Sequence, residues 1–297
     1  MTVPRTHTAC TAGDGSPTPA ASIVILTLNE ESNIRGCLDS CTWSDDVHVL
    51  DSGSSDRTQV IARELGAQVH LNPFESFGKQ RNWALDNIPI KHEWVFHLDA
   101  DERFTPEIVR EIESTLKKQP ELSGFYVPSK LMFMGRWLRR ASGYPTYQMR
   151  LFHKDRMRFI DYGHGQREEP GKPIGTLHQP YLHYSFSKGL TDWIDKHNRY
   201  STQEAREIVR IQSERHDKAD PPRLMGSAVQ RRRWLKQRLY PKLPARWILR
   251  FCWLYFIKLG FLDGKAGLRF CQLHAAYELF IGLKVVETKH NSKGGTT

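Results

Sequence analysis

The chain has 297 residues, 39% hydrophobic and 11% aromatic, which excludes an intrinsically disordered protein and leaves room for one large domain or two modest ones. Its formal charge of +10 is concentrated: sixteen Lys/Arg stand against five Asp/Glu between positions 206 and 269. Such a segment suits nucleic acid or an anionic membrane surface, with a plain solvated basic face as the alternative. Five cysteines, Cys10, Cys37, Cys41, Cys252 and Cys271, without a secretory signal argue against a disulfide framework and for a reducing, cytoplasmic setting. Cys37 and Cys41 lack a second Cys/His pair at zinc spacing and are expected as small core residues.

In chain order, residues 1–20 mix Thr, Pro, Gly and Ser without periodicity and predict a disordered leader, so the fold is expected to begin near Ala21. An apolar run at 22–27 predicts a strand, followed by a helix through Leu38 and a second strand at 47–50. Asp56-Arg57-Thr58-Gln59 offers a capping box for a helix that Gly66 stops. Strands at 67–70 and 94–98 flank a helix at 79–85, and Thr105-Pro106 opens another helix. This alternation predicts an α/β fold with a mostly parallel sheet, whose ligands bind beyond the carboxyl ends of the strands. Beyond Gly124 the pattern is less regular, with strands near 124–130 and 148–154 and a helix from Lys188 to about Arg210. The expected organisation is an α/β domain over 21–215 that carries the chemistry, a basic amphipathic helical region over 216–287, and a flexible tail over 288–297.

Three acidic features follow three apolar strands: Asn29-Glu30-Glu31, Asp51-Ser52-Gly53-Ser54-Ser55-Asp56 and Asp99-Ala100-Asp101-Glu102. An Asp closing a strand is commonly a turn former or cap, but three in one α/β unit point to a ligand site. Asp99 and Asp101 suit Mg²⁺ or Mn²⁺, hard cations that take carboxylate oxygens and neutralise a diphosphate leaving group. Alternation in an extended segment places the two on one side, with the small Ala100 between them. No Gly-rich phosphate loop is present.

The ordered set Asn29-Glu30, Asp51-Ser52-Gly53-Ser54-Ser55-Asp56, Gly78-Lys79-Gln80-Arg81-Asn82 and Asp99-Ala100-Asp101 resembles the GT-A glycosyltransferases of family 2. Arg150-Leu151-Phe152, Leu182-His183-Tyr184-Ser185, the 196–201 segment and Gly260-Phe261-Leu262-Asp263-Gly264 resemble its lipopolysaccharide-core glucosyltransferase branch. The resemblance covers about 22–287. It implies that Thr27, Asn29 and Glu30 border the nucleotide and that Asp51, with Ser52 and Gly53 in its loop, contacts the base. Asp56 and Arg81 would shape the donor pocket, Lys79 would add charge and Asn82 would lie near the donor. Asp99 would meet ribose or metal, and Asp101 would bind metal. His183 is a third metal ligand, a diphosphate contact or a structural core histidine.

Family 2 enzymes invert the anomeric centre, so the resemblance also implies a carboxylate that takes the acceptor hydroxyl's proton. That branch carries a His-Glu pair where this chain reads Tyr162-Gly163-His164-Gly165-Gln166-Arg167-Glu168-Glu169. Glu168 is the first choice for the base, with Glu169, Glu102 and Asp161 as rivals and a plain surface loop as the alternative.

The apolar stretch at 247–262 carries Arg250 and Lys258 and is shorter than the roughly 20 residues a spanning helix needs. Basic clusters at 231–233 and 236–238 precede it. That combination favours a helix lying on a bilayer, and 266–286 continues at amphipathic helical spacing. Packing on the α/β domain or on a partner subunit is the alternative.

The expectation is thus an inverting, metal-dependent hexosyltransferase with a nucleotide-sugar donor, a UDP-sugar first. Its acceptor would be lipid-linked or lipopolysaccharide-core glycan, and its place the inner face of the cytoplasmic membrane. A sugar-phosphate nucleotidyltransferase would normally show a Gly-rich first loop. A nucleic-acid-binding protein would leave the strand-end carboxylates idle, so no nucleic-acid partner is expected.

Overall fold

The computed structural model describes residues 21–162, 165–213 and 245–294. The expected leader, His164 and the basic clusters at 231–233 and 236–238 lie outside the described residues.

Strands β1 (Ala21–Thr27), β2 (Val47–Asp51), β3 (Gln68–Leu71) and β4 (Trp94–Asp99) lie parallel in the spatial order β3-β2-β1-β4. Helices α1 (Ile34–Asp39), α2 (Thr58–Glu64) and α3 (Phe77–Asn87) make the crossovers, as parallel pairing requires. β1 is buried almost throughout because both faces of this half are covered. Ile23, Ile25, Phe96 and Leu98 meet Ile34 and Cys37 on one face, together with Ile108 and Ile112 of α4 (Pro106–Lys118). On the other face Val24, Leu50 and Val95 meet Ala84 of α3. Cys37 and Cys41 are core residues, and the four described cysteines are free.

Beyond β4 the sheet turns antiparallel. β8 (Thr146–His153) pairs antiparallel with both β4 and β6 (Gly124–Phe133), β12 (Tyr181–His183) runs parallel to β6, and β5 (Glu102–Arg103) closes the far edge antiparallel to β12. β7 (Arg136–Trp137) and β11 (Ile174–Thr176) also pair with β6. A separate hairpin, β9 (Phe159–Tyr162) and β10 (Gly165–Glu168), leans on α3. The Asn82 amide fastens it, donating to the Phe159 carbonyl at 2.8 Å and accepting the Phe159 N–H at 2.9 Å.

Helix α4 starts as expected, with Thr105 as N-cap and Pro106 in its first turn. The capping box at the start of α2 does not form. Gln59 is drawn away to Asp51 Oδ1 at 2.8 Å, and Asp56 takes the Thr58 N–H at 3.0 Å. Gly66, at φ +83°, ends this segment in the left-handed region.

The C-terminal part comprises α5 (Gly189–Ser213), α6 (Arg246–Cys252), a π-helical turn (Trp253–Ile257), a 3₁₀ turn (Gly260–Asp263) and α7 (Gly264–Gly294). The stretch at 247–262 is therefore not one helix. Leu259 stands at φ +59°, and the following turn packs so closely on α7 that a Cβ at Gly267 would lie 2.1 Å from the Gly260 carbonyl oxygen. The Asp263 carboxylate ties this turn to the sheet extension by accepting the N–H groups of Arg139, Arg140 and Ala141 at 3.2, 2.9 and 2.7 Å. One face of the helical part packs Leu254, Ala266, Phe270 and Cys271 on Phe133, Leu138 and Ala141. α7 continues to Gly294 where a flexible tail was expected from 288. Lys284 pins it to α5 through the Asn198 carbonyl at 2.6 Å and the Ser201 and Thr202 hydroxyls at 2.8 Å. Among the described residues no helix is long and apolar enough to cross a membrane.

Candidate active site

The ends of β1 and β2 carry two loops that hold each other. Buried Asp51 accepts at one oxygen from the N–H groups of Gly53 and Ser54 and from Gln59, at 3.1, 2.8 and 2.8 Å. Its other oxygen accepts from the Thr27 and Ser54 hydroxyls at 2.9 and 2.5 Å. Five donors saturate the carboxylate, so Asp51 shapes the loop rather than offering a free oxygen to a base. Asn29, at φ +55°, donates its N–H to Ser54 Oγ and accepts the Ser55 N–H at 2.8 Å. Ser52 accepts from Gln80 of α3 at 3.1 Å, and Asp56 accepts the Glu31 N–H at 3.1 Å. The expected residues Thr27, Asn29, Ser52, Gly53 and Asp56 thus form one connected rim.

Glu30 belongs to this rim and reaches further. Its carboxylate binds Asn33 at 2.7 Å and Lys188, just ahead of α5, at 2.5 Å. Burial raises its pKa despite both partners, and the Asp101 charge adds to the rise.

At the end of β4 the two aspartates part company. The strand stops at Asp99, and Ala100-Asp101 form a turn, so alternation does not place both carboxylates on one side. Asp99 turns to arginines: Arg150 of β8 lies 2.6 Å from Oδ2 and Arg81 of α3 lies 3.7 Å from Oδ1. Burial alone would raise the Asp99 pKa, but Arg150 and Arg81 outweigh it and hold the carboxyl well below its usual range. Arg150 also meets Glu102 at 2.5 Å, and Glu102 accepts the Asp99 N–H at 2.9 Å. Glu102 is wholly buried and pushed up to about 7 by that burial, with Asp99 and Asp101 adding like charge against Arg150.

Asp101 instead meets His183, whose Nε2 lies 3.4 Å from Oδ2. The β12–β5 register sets His183 opposite Glu102, and the Tyr184 N–H donates to the Asp101 carbonyl at 2.8 Å. Burial would lower the imidazole pKa, but Asp101 outweighs it and raises it. Among the described residues no three His, Cys, Asp or Glu side chains are grouped to hold a metal ion on their own. One carboxylate and one imidazole nevertheless fit a Mg²⁺ or Mn²⁺ site of the kind completed by substrate phosphate oxygens and water. Asp99, committed to two arginines, has a different place from the one expected of a ligand.

Asp99 also lines a cleft of ≈380 Å³, together with Arg81, Arg150, Tyr126, Phe159 and Glu168, among others. Glu168, on β10, accepts from the Tyr126 hydroxyl of β6. Burial and this carboxylate push the Tyr126 pKa up to about 12, so the phenol keeps its proton and acts as donor. Of the rival bases, Glu169 does not line the cleft. Asp161 is occupied by the Ser76 hydroxyl at 2.7 Å and the Gly78 N–H at 2.9 Å, and Glu102 is sealed behind Arg150.

Two expected donor residues lie elsewhere. Lys79 is exposed and paired with Glu75 at 2.6 Å, and Asn82 is spent on the β9 backbone. Ala100 is buried, its carbonyl accepting from Arg103 at 2.7 Å. Arg150, Tyr126 and Lys188 were missed as site residues. The one signal for Arg150 is a charge inside the apolar run Met149-Arg150-Leu151-Phe152, where a buried cation demands a partner.

Residues 22–169 match the family described as Glycosyl transferase family 2. A glycosyltransferase of Rickettsia bellii is 28% identical over 65% of this chain and 69% of its own length. The lipopolysaccharide core biosynthesis glycosyltransferase LpsC of Rhizobium meliloti is 24% identical over 63% of this chain and 71% of its own. Among solved structures, the mannosyltransferase PcManGT of Pyrobaculum calidifontis, in complex with GDP-Man and Mn²⁺, aligns over 91% of this chain and 88% of its own with a TM-score of 0.50 at 16% identity, a likeness of fold. Glucosyl-3-phosphoglycerate synthase of Mycobacterium tuberculosis aligns at 21% identity and TM-score 0.36 over 46% of this chain, which spans only 57% of that protein.

Proposed function

From the premise that residues 22–169 make this chain a family 2 glycosyltransferase, we propose that it moves a hexose with inversion from a nucleotide-sugar donor to a lipid-linked or lipopolysaccharide-core acceptor. Family membership decides against the nucleotidyltransferase alternative. The observation that carries the proposal is the division of labour near Asp99: Asp101 is paired with His183 at 3.4 Å, and Glu168 stands in the cleft that Asp99 lines.

In this reading the rim from Thr27 to Glu30 and Asp51 to Asp56 receives the nucleotide, a uridine or guanosine diphosphate. Asp101 and His183 would hold Mg²⁺ or Mn²⁺, which would supply the positive charge that the departing diphosphate needs. Arg150 and Arg81 keep Asp99 ionised and aimed. Glu168 takes the proton of the attacking acceptor hydroxyl, and the Tyr126 hydroxyl orients its carboxylate; this leaves the acceptor oxygen free to attack the anomeric carbon from the face opposite the leaving group. The likeness to LpsC supports a lipopolysaccharide-core acceptor.

The placement proposed with this function is peripheral, on the inner face of the cytoplasmic membrane. Trp253, Phe256, Ile257 and Leu262 are exposed, and so is Lys258 between them in the chain. Aromatic and aliphatic side chains interleaved with cations suit an anionic bilayer surface.

A donor screen tests the central reading. Calorimetry with UDP-, GDP-, ADP- and dTDP-sugars, with and without Mn²⁺, should give one nucleotide that binds at least tenfold tighter with the metal. No metal-dependent binding of any of the four would overturn it.

A further inference from the structure

Arg81 is 4% exposed, and its Nε and Nη1 have no hydrogen-bond partner; Arg150 is 1% exposed, and its Nη1 has none. Gln166 Oε1 is also buried and unpartnered. All three side chains line the cleft that holds Glu168. Buried guanidinium N–H groups are nearly always paired, because an unpaired donor loses its hydration without return. Three orphan donors on two arginines in one cavity therefore call for a ligand.

The ion pairs are unevenly shared as well. Asp99 is shared, 2.6 Å from Arg150 but 3.7 Å from Arg81, while Glu102 is taken by Arg150 at 2.5 Å. Arg81 is left with one long ion pair. Burial, with Arg150 beside it, pulls its pKa down to about 10, which keeps it charged at neutral pH. A neutral hydroxyl in the cleft would satisfy one donor, whereas an anionic oxygen pair accepts from several in the forked geometry a guanidinium offers and adds the closer ion pair that Arg81 lacks.

We propose that this cleft selects an acidic acceptor sugar, with Arg81 and Arg150 binding its phosphate or carboxylate while Glu168 meets its hydroxyl. The proposal rests on the transferase reading above, since it is the base that makes this the acceptor's side. Arg81 was expected in the donor pocket and Asp99 beside ribose or metal; the anion is assigned to the acceptor instead because the remaining groups expected around the donor, Asp101, His183 and the loops at 27–30 and 51–56, do not line the cleft. Tyr126, Tyr147 and Phe159 add the aromatic surface on which a sugar ring packs.

The test is calorimetric titration of the full chain with glucuronate, glucose 6-phosphate and glucose, without and with saturating UDP and Mn²⁺, or GDP if the donor screen selects it. At least one acidic sugar should bind tenfold or more tighter than glucose, and which of the two does so separates carboxylate from phosphate. This preference should persist with the nucleotide bound and fall at least tenfold in Arg81→Gln. Equal binding of the three sugars, or full acidic binding in Arg81→Gln, overturns the proposal. Loss of acidic binding when UDP and Mn²⁺ are present also overturns it and gives the arginines to the donor.

Since Arg81 is buried and its replacement can unfold the protein, Gly165→Phe is the second variant. Gly165 lines the cleft and a Cβ there meets nothing within 4 Å, so the ring adds bulk at the cleft wall with no clash at its point of attachment. It should abolish acidic-sugar binding and spare UDP binding; unchanged acidic binding overturns the proposal. Failure of the unaltered protein to bind any nucleotide is the separate failure of the donor reading and takes the acceptor assignment with it. Intact nucleotide binding without acidic preference removes the acceptor assignment alone.

Discussion

The Arg150 guanidinium lies 2.6 Å from Asp99 and 2.5 Å from Glu102, so one cation from an antiparallel strand bridges the carboxylate that ends β4 and the one that opens β5. Arg150→Met should cost about 3–5 kcal/mol of stability, because it leaves buried carboxylate charge uncompensated. Urea unfolding measures this, and a loss below about 1 kcal/mol would show that Arg81 alone suffices.

Asp101→Ala should lower transfer on the order of a hundredfold or more while leaving the melting curve in place, since Asp101 is partly exposed and holds no core contact. Its nucleotide affinity should also cease to depend on Mn²⁺. Metal-dependent turnover retained in this variant would remove Asp101 from the metal site.

Glu168→Gln should reduce transfer by about 10²–10⁴-fold and spare donor binding, as expected for loss of a general base. Tyr126→Phe should produce a smaller loss, because it frees the carboxylate without deleting it. Normal turnover in Glu168→Gln would send the search for the base back to Glu169.

His274 of α7 packs against Phe270 and Trp193, at ring separations of 4.3 and 6.0 Å. Burial first, then Arg250 and His197, depress its pKa to about 3. The folded chain thus keeps the ring neutral, while the unfolded chain takes up a proton below about pH 6.5. Its contribution to stability is full above that pH and is lost as pH falls toward 3. His274→Phe should flatten this acid slope, followed by urea unfolding at stepped pH; an unchanged slope would place the acid sensitivity elsewhere.

The membrane assignment is checked by sedimentation with anionic liposomes at physiological salt. The unaltered chain should pellet with them, and the double variant Trp253→Glu, Phe256→Glu should stay in the supernatant with transfer to a soluble acceptor intact. An unaltered chain that stays soluble would leave the exposed apolar face to a protein partner.

The parallel half of the sheet was legible because its signals are local. Apolar runs at β2 and β4 each end in a carboxylate, the run at β1 is followed by Asn29-Glu30, and Thr105-Pro106 and Gly66 mark helix ends through their own backbone preferences. The antiparallel half was not. β8 reaches β4 through a pairing far apart in sequence, and the β9–β10 hairpin finds its place through Asn82, whose amide reads as a donor contact until the strand it clamps is seen. The capping box at Asp56 failed for a similar reason: Gln59 had a stronger claim from Asp51 across the loop.

The same division holds for the chemistry. The amino-acid sequence alone determined that carboxylates follow three neighbouring strands and that Asp99-Ala100-Asp101 stands at the end of one of them, because apolar runs and the polar residues that stop them are read from residues next to each other. Only the tertiary structure decided what each carboxylate does. Asp99 went to Arg150 and Arg81, Asp101 to His183 and Glu168 to a cleft with Tyr126, since the partner of a charge is set by strand order across the sheet and by which cation burial leaves short of a counter-ion.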